Sequence, residues 1–163
     1  MTDNDYPLND EEFDTFFNRV TRMTVDLVIR TEDGLLMSKR SIEPCKGQWH
    51  IPGGTVRHGE LIEQAVHRIG KQELGVELDI RKTLGYLEYP HMVTNGYPGW
   101  PISIVLEVAI TAGQVTGTAH GEHIEYFTRV PDNTIEDQEL FLELKLGLKP
   151  AHSKNPALAE TIA

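Results

Sequence analysis

The sequence predicts one domain of the α/β class, built on a mixed β-sheet. Three observations lead to this prediction. The chain has 163 residues, enough for a single domain with its own hydrophobic core. Its hydrophobic content of 39% and charged content of 25% are ordinary for a globular protein. Strand-like and helix-like segments follow one another without strict alternation, which is typical of a mixed sheet.

The first elements are a helix and two strands. Residues 9–20 predict a helix capped by Asn9 or Asp10. Its apolar stripe consists of Phe13, Phe16, Phe17 and Val20. Residues 25–30 alternate between apolar and other side chains, as in a strand, and the turn at 32–34 leads into a second strand.

A second helix, further strands and a last helix follow. Residues 60–75 predict an amphipathic helix, which Gly75 can end. Its apolar positions are Leu61, Ile62, Ala65, Val66 and Ile69. Strands are predicted at 76–81, 82–89, 102–110 and 123–128, with a Gly/Pro-rich loop at 90–101. The last helix, near 135–148, carries Leu140, Phe141, Leu144 and Leu148.

No repeat or linker interrupts the chain, so we expect one domain over 1–163, with an N-terminal helical segment at 1–22 and a flexible tail at 149–163. The net charge of −10, without a Lys/Arg-rich face, argues against a nucleic-acid partner. No apolar run is long enough to span a membrane, and the acidic N-terminus is unlike a signal peptide. The single Cys45 cannot form an internal disulfide. These features favour the cytoplasm.

One segment carries a motif, GGTVRHGELIEQAVHRIGKQELGV. It holds, at characteristic spacing, Gly54, Glu60, Arg68, Glu73 and Gly75. Together with the preceding GQWHIPGG, this segment resembles the Nudix box, the loop-helix-loop of a family of hydrolases that act on nucleoside-diphosphate derivatives with divalent cations. The resemblance implies the Nudix fold, a mixed β-sheet sandwiched between helices, of the α+β type.

The motif departs from the usual Nudix box in its acidic residues. Typical members carry carboxylates at the positions of Ile69, Gln72 and Glu73, which share one helix face, and only Glu73 is acidic here. Attack of water on phosphorus usually calls for cations that activate the water and neutralise the phosphoryl oxygens. Attack on the anomeric carbon of a nucleotide sugar needs only one Mg²⁺ (or Mn²⁺) on the departing diphosphate. The depleted box therefore favours cleavage at carbon.

This variant resembles one branch, the GDP-mannose mannosyl hydrolases, over about residues 8–148. The resemblance implies that Glu73 binds the cation together with the carbonyl group of Gly53. A further ligand is expected at Glu122, where the branch has glutamine. It also implies that Arg40 holds the diphosphate and that Asp26 lies near the sugar.

The resemblance also implies a catalytic base. The stretch GEHIEYF places His123 at the catalytic histidine, and a neutral imidazole is a competent base near pH 7. Arg68 is implied to be the arginine of the box, with Glu60 as its salt-bridge partner. His91 resembles a loop histidine of the same branch. The loop at 90–101 and the residue before it also carry aromatic side chains. We expect Tyr89, Tyr97 and Trp100 to cover the nucleobase or the sugar of the substrate.

Two differences from that branch affect substrate identity. Thr55 stands where the branch has an arginine, and Arg57 lies two residues further on. Glu122 replaces an amide. The expected partner is a small nucleotide-sugar substrate, and the resemblance implies a homodimer to which the N-terminal phenylalanine stripe contributes.

Two other functions remain open from the sequence. One is a pyrophosphohydrolase that attacks phosphorus in a substrate such as ADP-ribose. The other is a non-catalytic nucleotide-binding domain with a degenerate box. Retention of both Glu73 and His123 argues against degeneration, and the missing carboxylates at Ile69 and Gln72 argue against attack on phosphorus.

Overall fold

A mixed seven-stranded sheet dominates the computed structural model, which describes residues 8–116 and 123–150. The strands are β1 (Thr21–Thr31), β2 (Gly34–Lys39), β3 (Trp49–His50), β4 (Gly53–Thr55), β5 (Val76–Glu88), β6 (Trp100–Gly113) and β7 (His123–Phe127). The helices are α1 (Asp10–Phe17), α2 (Ile62–Ile69), α3 (Pro90–Thr94) and α4 (Glu136–Leu146). The main strand order is β3-β2-β1-β6-β5, with β4 paired to β1 and β7 paired to β2. The expected mixed sheet with flanking helices is confirmed.

Strand β1 is the centre of the sheet. It runs parallel to β6 and antiparallel to β2 and β4. Because helices cover both faces, its central residues are buried on either side. Val25, Leu27 and Ile29 face the core beneath α2, and Val28 faces the core beneath α4. Asp26 is a buried carboxyl group within this apolar run.

The helix predicted at 60–75 is present in two parts. After α2, residues Gly70–Leu74 form a single π-helical turn, and Gly75 ends the element in the left-handed conformation with φ of 72°. Such turns interrupt α-helices frequently at functional sites. Here the turn carries Glu73. Ile69 and Leu74 anchor both parts to the core.

Three sequence predictions need correction. The strands predicted at 76–81 and 82–89 are one strand, β5, whose register against β6 shifts at bulges. The loop predicted at 90–101 contains the short helix α3, and its last two residues belong to β6. The predicted stripe of α4 was wrong at Leu140 and Leu144, which are 60% and 73% exposed. The buried set is Phe141, Leu142 and Leu146. Because α4 is apolar on more than one side, its packing rather than its periodicity selects the buried face.

The N-terminal helix is shorter than predicted and ends at Phe17. Its cap is Asn9, whose side chain accepts from the Glu12 amide, while the Glu12 carboxylate accepts from the Asn9 amide. The predicted phenylalanine stripe is divided, because Phe16 is exposed and Phe13 and Phe17 pack on a buried arginine. No helix in the described ranges is long and apolar enough to cross a bilayer.

Candidate active site

A pocket opens between β1, β4, the α3 region and α4. It brings together residues that the sequence analysis selected, including Asp26, Arg40, Gly53, Tyr89 and Tyr97. Its volume is about 100 Å³. This is well below the roughly 300–1,000 Å³ of pockets that enclose a drug-sized ligand. The pocket as it stands can therefore take one group of a substrate, but not a whole nucleotide.

A chain of hydrogen bonds lies along the floor of this pocket. The Ile51 amide donates to Gln138 Oε1 at 2.9 Å, and Gln138 Nε2 donates to the Tyr89 hydroxyl at 2.9 Å. The Tyr89 hydroxyl in turn donates a short hydrogen bond to Asp26 Oδ2. The network joins α4 to the end of β5 and to β1. It holds the Asp26 carboxyl group in one orientation at the pocket wall.

The carboxyl group of Asp26 has an unusual environment, since it is only 7% exposed. Burial raises its pKa from 3.8 to about 6, while the Tyr89 and Ser103 hydroxyls and the His50 ring act in the opposite direction. Burial, followed by the neighbouring Asp26 charge, raises the pKa of Tyr89 well above its usual value. Asp26 can therefore gain or lose a proton near neutral pH, whereas Tyr89 keeps its proton and acts as a donor.

We expect Asp26→Asn to raise the free energy of unfolding at neutral pH by about 3 kcal/mol, the equivalent of the pKa difference between 3.8 and about 6. The folded pKa is the higher one, so stability is complete below about pH 4 and is lost as the pH rises through 6. Asparagine avoids this penalty, and its oxygen can still accept from Tyr89. Urea unfolding in EDTA, near pH 4.5 and pH 7.5, measures the difference.

The matched control is Asp79→Asn, the same change at an exposed position. It should leave the pH dependence of unfolding at the wild-type value. A stability gain for Asp26→Asn that is equal at both pH values would show that the effect is not ionisation of Asp26.

The glycine pair at β4 lies next to the box carboxylate. A Cβ at Gly53 would collide with the Val25 carbonyl and the Asp26 carboxylate, so only glycine fits there. A Cβ at Gly54 would lie 4.0 Å from Glu73 Oε1. The backbone of β4 at Gly54 therefore lies close to the Glu73 carboxylate.

These donors fit a cation that the substrate helps to bind. No group of three His, Cys, Asp or Glu side chains within the described residues is arranged to hold a metal ion. The available oxygens are the Glu73 carboxylate and the neighbouring Gly53 carbonyl, and the predicted ligand Glu122 lies outside the described residues. Mg²⁺ commonly binds through one or two carboxylates plus substrate phosphates and water. This donor set suits that mode of binding.

The two other acidic positions of the usual box have structural roles here. Ile69 is 1% exposed and belongs to the core beneath α2. Gln72 Oε1 accepts from Arg68 Nη1 at 3.4 Å. Neither side chain supplies a carboxylate, so Glu73 alone provides anionic charge on this helix face.

Arg68 forms the predicted pair with Glu60. Its Nε and Nη2 donate to the two Glu60 oxygens at 2.7 and 2.9 Å, and Nη2 also donates to the Thr55 carbonyl at 2.9 Å. The hydrogen bond from Arg68 is the main reason that the pKa of Glu60 lies below its usual value. These contacts fasten α2 to β4, so Arg68 positions the glycine pair against Glu73.

Arg40 lies at the mouth of the pocket, directly after β2. Its Nε donates to the Pro44 carbonyl, and its guanidinium carbon lies 5.6 Å from the centre of the Tyr97 ring. The side chain is half-buried. Arg40 is therefore the cation that β2 presents to the pocket.

Other predicted residues lie outside the pocket wall. His123 is on β7, with its side chain 62% exposed, its Nε2 2.5 Å from Glu125 Oε1 and its ring 5.8 Å from Trp49. Strand β2 separates it from β3. His91 pairs with Glu136 at 3.3 Å beside a neighbouring cavity, and Trp100 lines a groove along α1.

The wall also contains residues that were not selected from the sequence, His50 and Gln138 among them. His50 lines the pocket beside Asp26. His50 lies three residues before Gly53, and this position could have identified it as a site residue, because the strand that leads into the box also leads into the site. No sequence pattern identifies Gln138 as a site residue, since its contact with Tyr89 depends on how α4 packs against the sheet.

Comparison with known families agrees with this geometry. Residues 20–143 match the NUDIX domain family. Because this match covers most of the chain, the protein belongs to the Nudix family. Members of this family are hydrolases of small nucleotide substrates that generally use divalent ions such as Mg²⁺ or Mn²⁺.

Two curated relatives are similar over part of the chain. Low-salt glycan biosynthesis protein Agl8 of Haloferax volcanii is 41% identical over 80 residues, which are 49% of this chain and 51% of that protein. ADP-ribose pyrophosphatase of Methanocaldococcus jannaschii is 31% identical over 105 residues, or 64% of this chain and 60% of that protein. The chain thus spans about half the length of the first relative and three fifths of the second.

Solved structures support the fold. The MutT NUDIX hydrolase from Burkholderia pseudomallei superposes with a TM-score of 0.67 at 23% identity, over 76% of this chain and 97% of that one. The MutT protein from Methanosarcina mazei gives 0.64 at 20% identity, over 76% and 91%. At these identities the similarity shows a shared fold and nothing about the substrate.

Proposed function

We propose that this Nudix hydrolase cleaves a nucleoside-diphosphate sugar similar to GDP-mannose. Water attacks the anomeric carbon, the bond from that carbon to the β-phosphate oxygen breaks, and the nucleoside diphosphate leaves with the bonding electrons. The products are a free sugar and an intact nucleoside diphosphate.

The observation that carries the proposal is the state of the box helix. Ile69 is packed in the core, and Gln72 is hydrogen-bonded to Arg68. Of the three box positions that are usually acidic, only Glu73 therefore carries a carboxylate. A site that uses cations to activate water for attack on phosphorus needs more anionic charge than one carboxylate provides. A site that only stabilises a departing diphosphate needs less. The pocket supports the second kind of reaction.

The proposal assigns a role to residues of the box and of the pocket. Glu73, the Gly53 carbonyl and Glu122 hold one Mg²⁺ or Mn²⁺ ion, which supplies charge neutralisation to the leaving group. Arg40 donates to the diphosphate oxygens. Asp26, oriented by Tyr89, lies beside the sugar, where its negative charge stabilises an oxocarbenium-like carbon.

The proton of the attacking water goes to His123. Because His123 lies beyond Trp49 on β7, this role requires the sugar to extend from the pocket toward that edge of the sheet. His91 and Trp100, which lie outside the pocket wall, are proposed to contact the parts of the substrate that the pocket does not enclose. The active form is proposed to be a homodimer in which the exposed Phe16 contributes to the interface.

Two names among the relatives bear on the choice of substrate. A relative named for glycan biosynthesis is in keeping with a sugar-bearing substrate. A relative named ADP-ribose pyrophosphatase favours the second candidate, a hydrolase that attacks phosphorus in ADP-ribose. The two candidates differ in the bond that is broken.

Hydrolysis in ¹⁸O-labelled water separates the two candidates. GDP-mannose, other nucleotide hexoses and ADP-ribose are each incubated with the enzyme and Mg²⁺, and the products are analysed by mass spectrometry. We expect the label in the free sugar, with unlabelled nucleoside diphosphate and an inverted anomer. Label in a phosphate, with a nucleoside monophosphate and a sugar phosphate as products, would establish the pyrophosphatase instead. Binding of a nucleotide sugar without any product would indicate a binding domain.

A further inference from the structure

Arg22 is a buried cation in the row of β1 side chains that leads into the pocket. It is 2% exposed. Thr24 and Asp26, two and four residues further along the same face of β1, line the pocket. Pro101, which pairs directly with Arg22 across the sheet, lines it as well. The guanidinium therefore lies next to the pocket, at the end away from the Gln138 network.

Aromatic rings surround this guanidinium. Its carbon lies 4.9 Å from the ring centre of Phe13, 5.4 Å from Phe17 and 4.6 Å from Tyr97. Such contacts attract a cation and offset part of the loss of hydration. They do not satisfy its N–H groups, which lie around the edge of the guanidinium plane.

Two nitrogen atoms of this guanidinium lack an acceptor among the described residues. Arg22 Nε and Nη2 are buried, and within the described residues neither has a hydrogen-bond partner and Arg22 forms no ion pair. Leaving buried donors unsatisfied costs stability, most of all when the donor is charged. These donors are therefore free to take an acceptor that the described residues do not supply.

Tyr97 is a residue of the pocket wall that contacts Arg22. The ring lines the pocket and also contacts both cations, since the guanidinium carbons of Arg22 and Arg40 lie 4.6 and 5.6 Å from its centre. As it stands, the pocket takes only one group of a substrate. Displacing this one ring enlarges the pocket and exposes a second guanidinium to it.

We propose that Arg22 is a second anion-binding arginine of the active site, which donates to a phosphate oxygen of the substrate once Tyr97 has moved aside. The planar guanidinium of arginine can donate two parallel hydrogen bonds to two phosphate oxygens. In a protein of net charge −10, Arg22 and Arg40 together create a local cationic site. The identification of the anion as a diphosphate rests on the proposed function. The inference that Arg22 can bind an anion does not depend on it.

Binding of inorganic pyrophosphate, measured by calorimetry with Mg²⁺ present, tests the inference without any turnover. We expect Arg22→Met to weaken binding by about 10- to 100-fold, the range for a hydrogen bond to a charged group. Arg22→Lys keeps the cation in its aromatic surroundings but lacks the planar guanidinium, and should weaken binding by about 10-fold. The control, Arg19→Met, removes an exposed charge from the neighbouring segment and should bind as the wild type does.

Chemical labelling tests the movement of Tyr97. Phenylglyoxal, followed by peptide mass spectrometry, should modify Arg22 slowly in the wild type and rapidly in Tyr97→Ala, and pyrophosphate should protect Arg22 in both. Folding is checked by circular dichroism for every variant.

Wild-type pyrophosphate affinity in folded Arg22→Lys or Arg22→Met would overturn the inference and leave Arg22 as an anchor for α1. Absence of pyrophosphate binding in the wild type, or labelling of Arg22 that pyrophosphate does not slow, would also overturn it. If pyrophosphate binding depends on Arg22 but no nucleotide sugar is hydrolysed, the proposed function fails while this inference stands.

Discussion

We expect the Glu73→Gln variant to lose turnover with Mg²⁺ or Mn²⁺ while the chain stays folded. Glutamine has nearly the same shape, so the π-helical turn can persist beside Gly54. The change removes the one carboxylate on the cation-facing side of this helix, because Ile69 and Gln72 offer none. Calorimetry with Mn²⁺, together with assays on a nucleotide sugar, measures both consequences.

The matched control is Glu63→Gln, which makes the same change at an exposed position of α2. Turnover and metal affinity of this variant should equal those of the wild type. Wild-type metal affinity in folded Glu73→Gln would remove Glu73 from the proposed metal site.

The second large effect is expected for His123→Ala, which should lower kcat by about 10²–10⁴-fold, the usual contribution of a positioned general base. In the wild type kcat should fall as the pH drops through about 6, because Asp26 then gains a proton and loses the charge that the proposal requires. A protonated imidazole, which cannot accept the proton of the attacking water, would add to this fall. This acid limb should change in His123→Ala. A pH profile of kcat, measured with saturating substrate and metal, checks both expectations.

Two other histidines sharpen this experiment. His58→Ala, at an exposed turn, is the control and should leave kcat unchanged. His50→Ala removes the histidine that lines the pocket beside Asp26. If His50→Ala loses the activity and its acid limb while His123→Ala keeps both, the base is His50 and the proposed assignment is wrong.

Much of the fold was predictable because its signals are local. A helix cap at Asn9 or Asp10 and a helix end at Gly75 both follow from a few neighbouring residues. The structure has Asn9 as the cap and confirms Gly75 as the end. The predictions that failed depended on packing. Leu140 and Leu144 have helical spacing, but α4 docks with Phe141, Leu142 and Leu146 against the sheet. Hydrophobic spacing does not select between two apolar faces of one helix.

The candidate site was predictable to the same degree. Gly53 and Glu73 belong to one continuous motif, and a motif confined to a loop and a helix can be recognised without knowing the rest of the fold. The pocket histidine His50 lies close to this motif but is not one of its characteristic residues, so the motif does not identify it. Gln138 was not foreseeable, because its hydrogen bond to Tyr89 joins elements that are distant in the chain.

By itself, the sequence determined the family, the mixed sheet and the loss of two box carboxylates, since residue identity and spacing along the chain are sufficient for these. The tertiary structure alone decided which groups share an environment. It buries Asp26 beside Tyr89 and raises its pKa to about 6. It also places the Arg22 guanidinium beneath Tyr97 without an acceptor among the described residues. Burial and hydrogen-bond geometry depend on distances between separate elements, and no local pattern of residues encodes those distances.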